Sequence, residues 1–207
     1  MSYICLILSG AALLINGLGL LGRIPAKDSG YFNLLIGGTQ LILAVLIAVT
    51  ANGDAAALLG VSGVFLFGLT YAYVGLNSLL NLGSVGLGWF CGLVALLGVA
   101  YSALNLTTDP LLSVLWLAWA ALWTLFFLLL ALGISSLTTY TGWALILTSQ
   151  ATTTLPAILG LTGAWPTSAT AAFIALAVVA ALFVSARLLS APASRAAVAE
   201  ASNSVPA

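Results

Sequence analysis

The chemistry-bearing residues of this chain are ring systems. Trp116, Trp119 and Trp123 recur at i, i+3 and i+7 inside an apolar run from Leu111 to Leu132, a spacing that puts three indoles on one face of a helix. At 1.5 Å per residue they climb roughly 10 Å of helix. An anchor at the lipid–water boundary needs no such axial spread, whereas the wall of a passage does. Indole offers one N–H donor and no acceptor. A second stripe, Phe67 and Tyr71, lies one helical turn apart in another apolar run. Two stripes on separate runs predict opposing walls of one narrow slot, with ordinary aromatic packing as the competing reading.

The remaining polar groups inside the apolar runs are neutral: Asn16, Gln40, Thr70, Tyr71, Tyr73, Asn77, Asn105, Thr148 and Gln150. Each is suited to bonding helix to helix. Together they suit an uncharged polar solute better than an ion, because moving an amide into hydrocarbon without partners costs about 4–8 kcal/mol. Phenols, indoles and amides offset that cost without holding the solute, and weak multi-site contact permits exit. No carboxylate, lysine, arginine or histidine falls in the middle of a run. Proton relays, voltage sensors and coupled-ion sites are built from such groups, and general acid–base catalysis needs them. No enzyme activity, catalytic residue, cofactor or metal site is therefore expected.

The elements that must position these groups follow from composition. Of 207 residues, 63% are hydrophobic and 4% charged, against about 25% charged in a soluble domain. Backbone polar groups in lipid must be satisfied internally, and the apolar runs are continuous rather than alternating. The fold class read from this is an all-α membrane protein, a bundle of about seven transmembrane helices at roughly 3–22, 31–51, 57–81, 86–105, 111–132, 141–162 and 168–190. Residues 1–190 form one transmembrane channel domain, and 191–207 read as a polar, mobile cytoplasmic tail. The first run has no basic stretch before it, so it reads as a retained helix and not a cleaved signal peptide. Cys5 and Cys91 both sit in apolar runs, where packing is the expected role.

Charge sets an orientation. With seven spans and the N-terminus outside, Arg23, Lys27, Arg187 and Arg195 all fall on the cytoplasmic side, as the positive-inside rule asks, and the C-terminus is cytoplasmic. Asp54 and Asp109 then lie outside. Net charge is zero, and no basic patch points to nucleic acid.

The segments Phe-Gly-x-Thr-Tyr-x-Tyr-x-x-x-Asn at Phe67–Asn77 and Trp-Leu-Ala-Trp-x-x-Leu-Trp at Trp116–Trp123 resemble signature segments of the AmiS/UreI urea and amide channels. Asn16-Gly17, Gly37-Gly38, and Trp143 with Pro156 extend the likeness over about the first 162 residues. The resemblance implies a passive channel in a bacterial plasma membrane, a twisted helix bundle in each protomer and assembly as a hexamer. It implies that Trp119, Trp123, Phe67 and Tyr71 line the path, with Leu6 and Leu13 contributing apolar groups and Asn16 nearby. Independently, Leu6, Ser9, Leu13 and Asn16 share a helical face. Trp116 joins the lining through its stripe. Acid-gated members in gastric bacteria carry histidine-rich external loops, and this chain has no histidine. A pore glutamate of that channel aligns with Thr148, leaving Gln150 as the nearest amide, and the seventh span has no counterpart there. These departures point to the amide-transporting branch, whose members are associated with amidases.

The function read from the sequence is a passive facilitator for urea and small aliphatic amides, not acid-gated, working beside a cytoplasmic amidase or urease. A secondary active transporter would need an ion site built from backbone carbonyls at broken helices. A non-transporting membrane scaffold would turn the aromatic stripes into closed interfaces.

Overall fold

The computed structural model describes the chain from Ser2 to Asn203, with side chains as far as Ala191. Among the described residues, seven helical stretches are long and apolar enough to cross a membrane. They are built from α1 (Ser2–Leu20), α2 (Ala26–Thr50), α3 (Ala55–Leu80), α4 (Val85–Asn105), α5 (Pro110–Phe126), α6 (Thr138–Ser149), α7 (Leu155–Leu161) and α8 (Ala169–Asn203). A five-residue π turn, Phe127–Ala131, prolongs α5, and another, Gln150–Thr154, joins α6 to α7 within one span. The expected polar tail over 191–207 lies, beyond Ala191, outside the residues whose side chains are described.

Local chemistry explains the ends. Asp54 caps α3 by accepting from the amides of Ala56 and Ala57, and Asp109 caps α5 by accepting from Leu112, with Pro110 at the first helical position. Asn81 closes α3 in the left-handed conformation. The second span begins at Ala26, five residues before the apolar run that marked it, because Pro25 and not the loss of hydropathy sets its start. Lys27 and Asp28 therefore stand in its first turn. The sixth span likewise starts early, at Ser135.

α2 packs on α3, α4 on α5, and α1 on the sixth span, while α8 lies against α6. Lipid supplies no hydrophobic pull between helices, so contact depends on small residues. At Gly37 a β-carbon would strike the Gly68 carbonyl and the Ala72 backbone, so α2 and α3 meet backbone to backbone. Leu35, Ile42 and Val49, seven residues apart on the far side of α2, stay exposed. Polar pairing holds α1 to α2 further along. Asn16 Nδ2 donates to Asn33 Oδ1 at 3.0 Å, Asn33 Nδ2 returns a bond to Asn16 Oδ1 at 2.6 Å, and Ser29 Oγ donates to the same oxygen at 3.2 Å.

Candidate functional site

The two aromatic stripes converge on Phe67. Its ring is stacked on Trp123, with centroids 4.6 Å apart and planes 23° apart. Trp119 meets the same ring edge-on at 5.2 Å, Trp116 at 5.6 Å and Tyr71 at 6.5 Å. Trp116 also packs edge-on against Trp119 at 5.1 Å. Each such pair is worth about 0.5–1.5 kcal/mol beyond burial. Gly63 makes this possible on α3, since any β-carbon there would enter the Trp116 ring.

Polar tethers hold two of the indoles. Trp119 Nε1 donates to Thr152 Oγ1, and Trp123 Nε1 donates to Thr70 Oγ1, each at 3.2 Å. Each threonine hydroxyl passes its own proton to the carbonyl four residues back, Thr152 to Thr148 and Thr70 to Leu66. Thr152 lies in the π turn. Pro156 has no N–H to give the Thr152 carbonyl, and its ring crowds that position, so the helix widens there. Phe67 has no polar handle.

The rings separate two spaces. On one side opens a cavity of about 660 Å³, walled by Leu6, Ser9 and Gln40, by Gly63 and Phe67, and by Tyr101, Trp116 and Trp119. Its mouth is at the end of the bundle that carries Ser2, Ala56, Asp109 and Trp165. There Trp165 Nε1 donates to both carboxylate oxygens of Asp109, at 3.2 and 3.1 Å, and its ring packs on Tyr3 at 5.8 Å. On the other side is a void of about 10 Å³ among Leu13, Asn16, Tyr71 and Trp123, room for one water at most. No residue lines both spaces. From Ser9 to Leu13, Phe67 to Tyr71 and Trp119 to Trp123, the step between them is four residues. That makes a barrier roughly 6 Å thick at 1.5 Å per residue.

Eight of the ten residues expected to line the path thus lie around these spaces: Leu6, Phe67, Trp116 and Trp119 on the larger, Leu13, Asn16, Tyr71 and Trp123 on the smaller. Thr148 and Gln150 line neither. Thr148 is fully buried, but its hydroxyl is used on the Ala144 carbonyl at 2.7 Å. Gln150 is exposed, and its amide donates to the Gly10 carbonyl at 3.2 Å. Two residues apart on a helix, the pair cannot share a face, so an amide at 150 does not replace a group at 148.

Sequence reasoning gave no site role to Tyr101, Thr152 or the Asp109–Trp165 pair, and counted Gln40 only among the neutral polar groups that together suit an uncharged solute. Tyr101 stacks on Trp116 at 4.5 Å and bonds Ser62 through its hydroxyl. It has no aromatic neighbour at helical spacing on its own span, so periodicity carried no signal. Gln40 was visible as a polar residue in an apolar run, but its partners lie on another helix.

Comparison with known proteins places this geometry. A family model described as AmiS/UreI family transporter matches residues 1–164, ending before α8. A transporter protein named AmiS2 from Rhodococcus erythropolis is 46% identical over 170 residues, covering 81% of this chain and 82% of that protein. A protein of Mycolicibacterium smegmatis, named as a transporter of amidate substrates, is 38% identical over 189 residues, covering 88% of this chain and 89% of its own. The crystal structure of the urea channel from Helicobacter pylori superposes with a TM-score of 0.74 at 26% identity, over 80% of this chain and all of that one. The same channel in its closed state, from cryo-electron microscopy, superposes with a TM-score of 0.73 at 25% identity over the same shares.

Proposed function

The chain belongs to the AmiS/UreI family of transporters, and from that premise we propose that it is a passive channel for urea and small aliphatic amides. It is a multi-pass protein of the bacterial plasma membrane, a transporter and not an enzyme. The observation that carries the reading is the thin ring barrier between a wide cavity and a small void. A barrier roughly 6 Å thick is crossed by one small molecule at a time. Flat rings favour a flat solute, and no charged side chain borders the barrier itself to hold an ion. Phe67, Tyr71, Trp116, Trp119 and Trp123 form the constriction, with Leu6, Leu13 and Asn16 beside it.

The wide cavity faces outside in this proposal. Its mouth carries Asp109 and sits at the end of the bundle opposite Arg23 and Lys27, which the positive-inside rule assigns to the cytoplasm. The C-terminal end of the seventh span is then cytoplasmic. Family resemblance supports a hexamer, and a cytoplasmic amidase or urease consuming the permeant would maintain the inward gradient.

Reconstituted into liposomes, the protein equilibrates urea and acetamide faster than empty vesicles, and neither solute accumulates against its gradient. Flux equal to that of empty vesicles removes the channel reading. Accumulation driven by an ion gradient replaces it with coupled transport.

A further inference from the structure

Gln40 of α2 is wholly buried, yet it belongs to the wall of the larger cavity beside Cys5 and Ser9 of α1. Its nitrogen carries two hydrogens, and both are used: Nε2 donates to the Cys5 carbonyl at 2.7 Å and to Ser9 Oγ at 2.9 Å. Those partners fix which way the amide points. A backbone carbonyl can only accept, so the reversed amide would set two oxygens against each other. Oε1 is left without a donor. Buried side-chain acceptors in native proteins are satisfied in the large majority of cases, so an orphan calls for an explanation.

Among the described residues three side-chain atoms share this condition: Gln40 Oε1, Tyr71 Oη and Thr141 Oγ1. Thr141 lines neither space, but the other two stand one on each side of the ring barrier. Ser9 accepts from Gln40 on the cavity side. The structure therefore holds an unpartnered acceptor, closed to solvent at rest, on a residue of the cavity wall, and a hydroxyl, able to donate or accept, on the far side.

We infer that Gln40 Oε1 accepts an N–H of the permeating solute at the entrance to the ring barrier, selecting carboxamides and urea over solutes that lack N–H donors. This rests on the channel reading above and names the group behind its specificity. A primary amide meets the acceptor with its nitrogen as it loses water in the cavity. Once the rings part, the Tyr71 hydroxyl takes over the polar end of the solute. The acceptor is neutral and single, so it does not trap an ammonium ion in place of an amide.

The chain contains only two glutamines, Gln40 and Gln150, which permits a direct test. The full chain, labelled with ¹³Cδ-glutamine and reconstituted in lipid, gives two side-chain carbonyl signals by solid-state NMR. Urea or acetamide should shift the Gln40 signal and leave Gln150 unmoved, while N,N-dimethylacetamide, without an N–H, should shift neither. A protein that conducts urea while its Gln40 signal stays fixed overturns the inference and spares the channel. A protein that does not conduct overturns both. In parallel, Gln40→Met keeps the length of the side chain and removes the acceptor. The ratio of acetamide to N,N-dimethylacetamide flux, each above empty vesicles, should fall roughly tenfold, the factor that ~1.4 kcal/mol makes in a rate. An unchanged ratio overturns the assignment, whatever happens to total flux. The NMR arm needs no substitution, so a misfolded variant does not remove the test.

Discussion

Phe67 is the ring to perturb first. Trp119 and Trp123 are tethered through their N–H groups to Thr152 and Thr70, whereas nothing polar fixes Phe67. Opening the barrier means moving Phe67 off Trp123, where it is stacked at 4.6 Å, and off the edge of Trp119 at 5.2 Å. Two aromatic pairs at about 0.5–1.5 kcal/mol each make this roughly 1–3 kcal/mol. At 1.36 kcal/mol per tenfold, their loss shifts the open population by about 5- to 150-fold. Phe67→Leu removes these two ring–ring terms along with the longer contacts to Trp116 and Tyr71, and retains most of the apolar bulk, so the fold should survive. We expect urea flux through reconstituted protein, followed by stopped-flow light scattering and normalised to the amount inserted, to rise by at least about fivefold. Discrimination between acetamide and butyramide should weaken with it. Phe67→Ala should widen the hole further, at a stability cost of about 3–5 kcal/mol for truncating a buried phenylalanine. A Phe67→Leu protein with parental flux and parental size discrimination refutes the assignment of Phe67 as the moving part.

The tethers give a second expectation. Thr70→Val and Thr152→Val each leave a buried indole N–H without an acceptor, at about 1–3 kcal/mol; thermal unfolding in detergent should register the loss, and an unchanged midpoint for both denies the tethers their role. Flux should be level between pH 5 and pH 8, because the chain has no histidine to gain charge across that interval; steep activation by acid contradicts this. Gln150→Ala should conduct within about twofold of the parent, since Gln150 lines neither space and its partly buried bonds to the Gly10 carbonyl and Ser149 Oγ are worth about 0.5–1.5 kcal/mol each. A large loss of flux would return that residue to the path.

What the sequence made legible is what repeats along one helix. Trp116, Trp119 and Trp123 announce a face by spacing alone, as do Leu6, Ser9, Leu13 and Asn16, and these faces do meet. The seven spans were equally readable, because hydrocarbon thickness imposes a length on each. What escaped was whatever depends on two helices at once. Tyr101 becomes part of the ring cluster only because α4 lies on α5, and the orphan oxygen of Gln40 arises only because Cys5 and Ser9 take its nitrogen. Thr152 gained its indole through a widened turn upstream of Pro156 that spacing rules for an ordinary helix do not foresee. Gln150, the nearest amide to Thr148 in sequence, borders neither space, because residues two apart fall on different faces of a helix.

The ring barrier also bears on bioenergetics. Proton conduction demands an unbroken file of hydrogen-bonded groups or waters. Here two unpaired polar atoms, Gln40 Oε1 and Tyr71 Oη, belong to residues bordering different spaces, and aromatic carbon stands between those spaces. A hydrophobic constriction of this kind excludes a water thread when at rest. A cell can thus keep many such pores in its membrane and still hold its electrical potential, passing small uncharged solutes without short-circuiting the gradient that drives ATP synthesis.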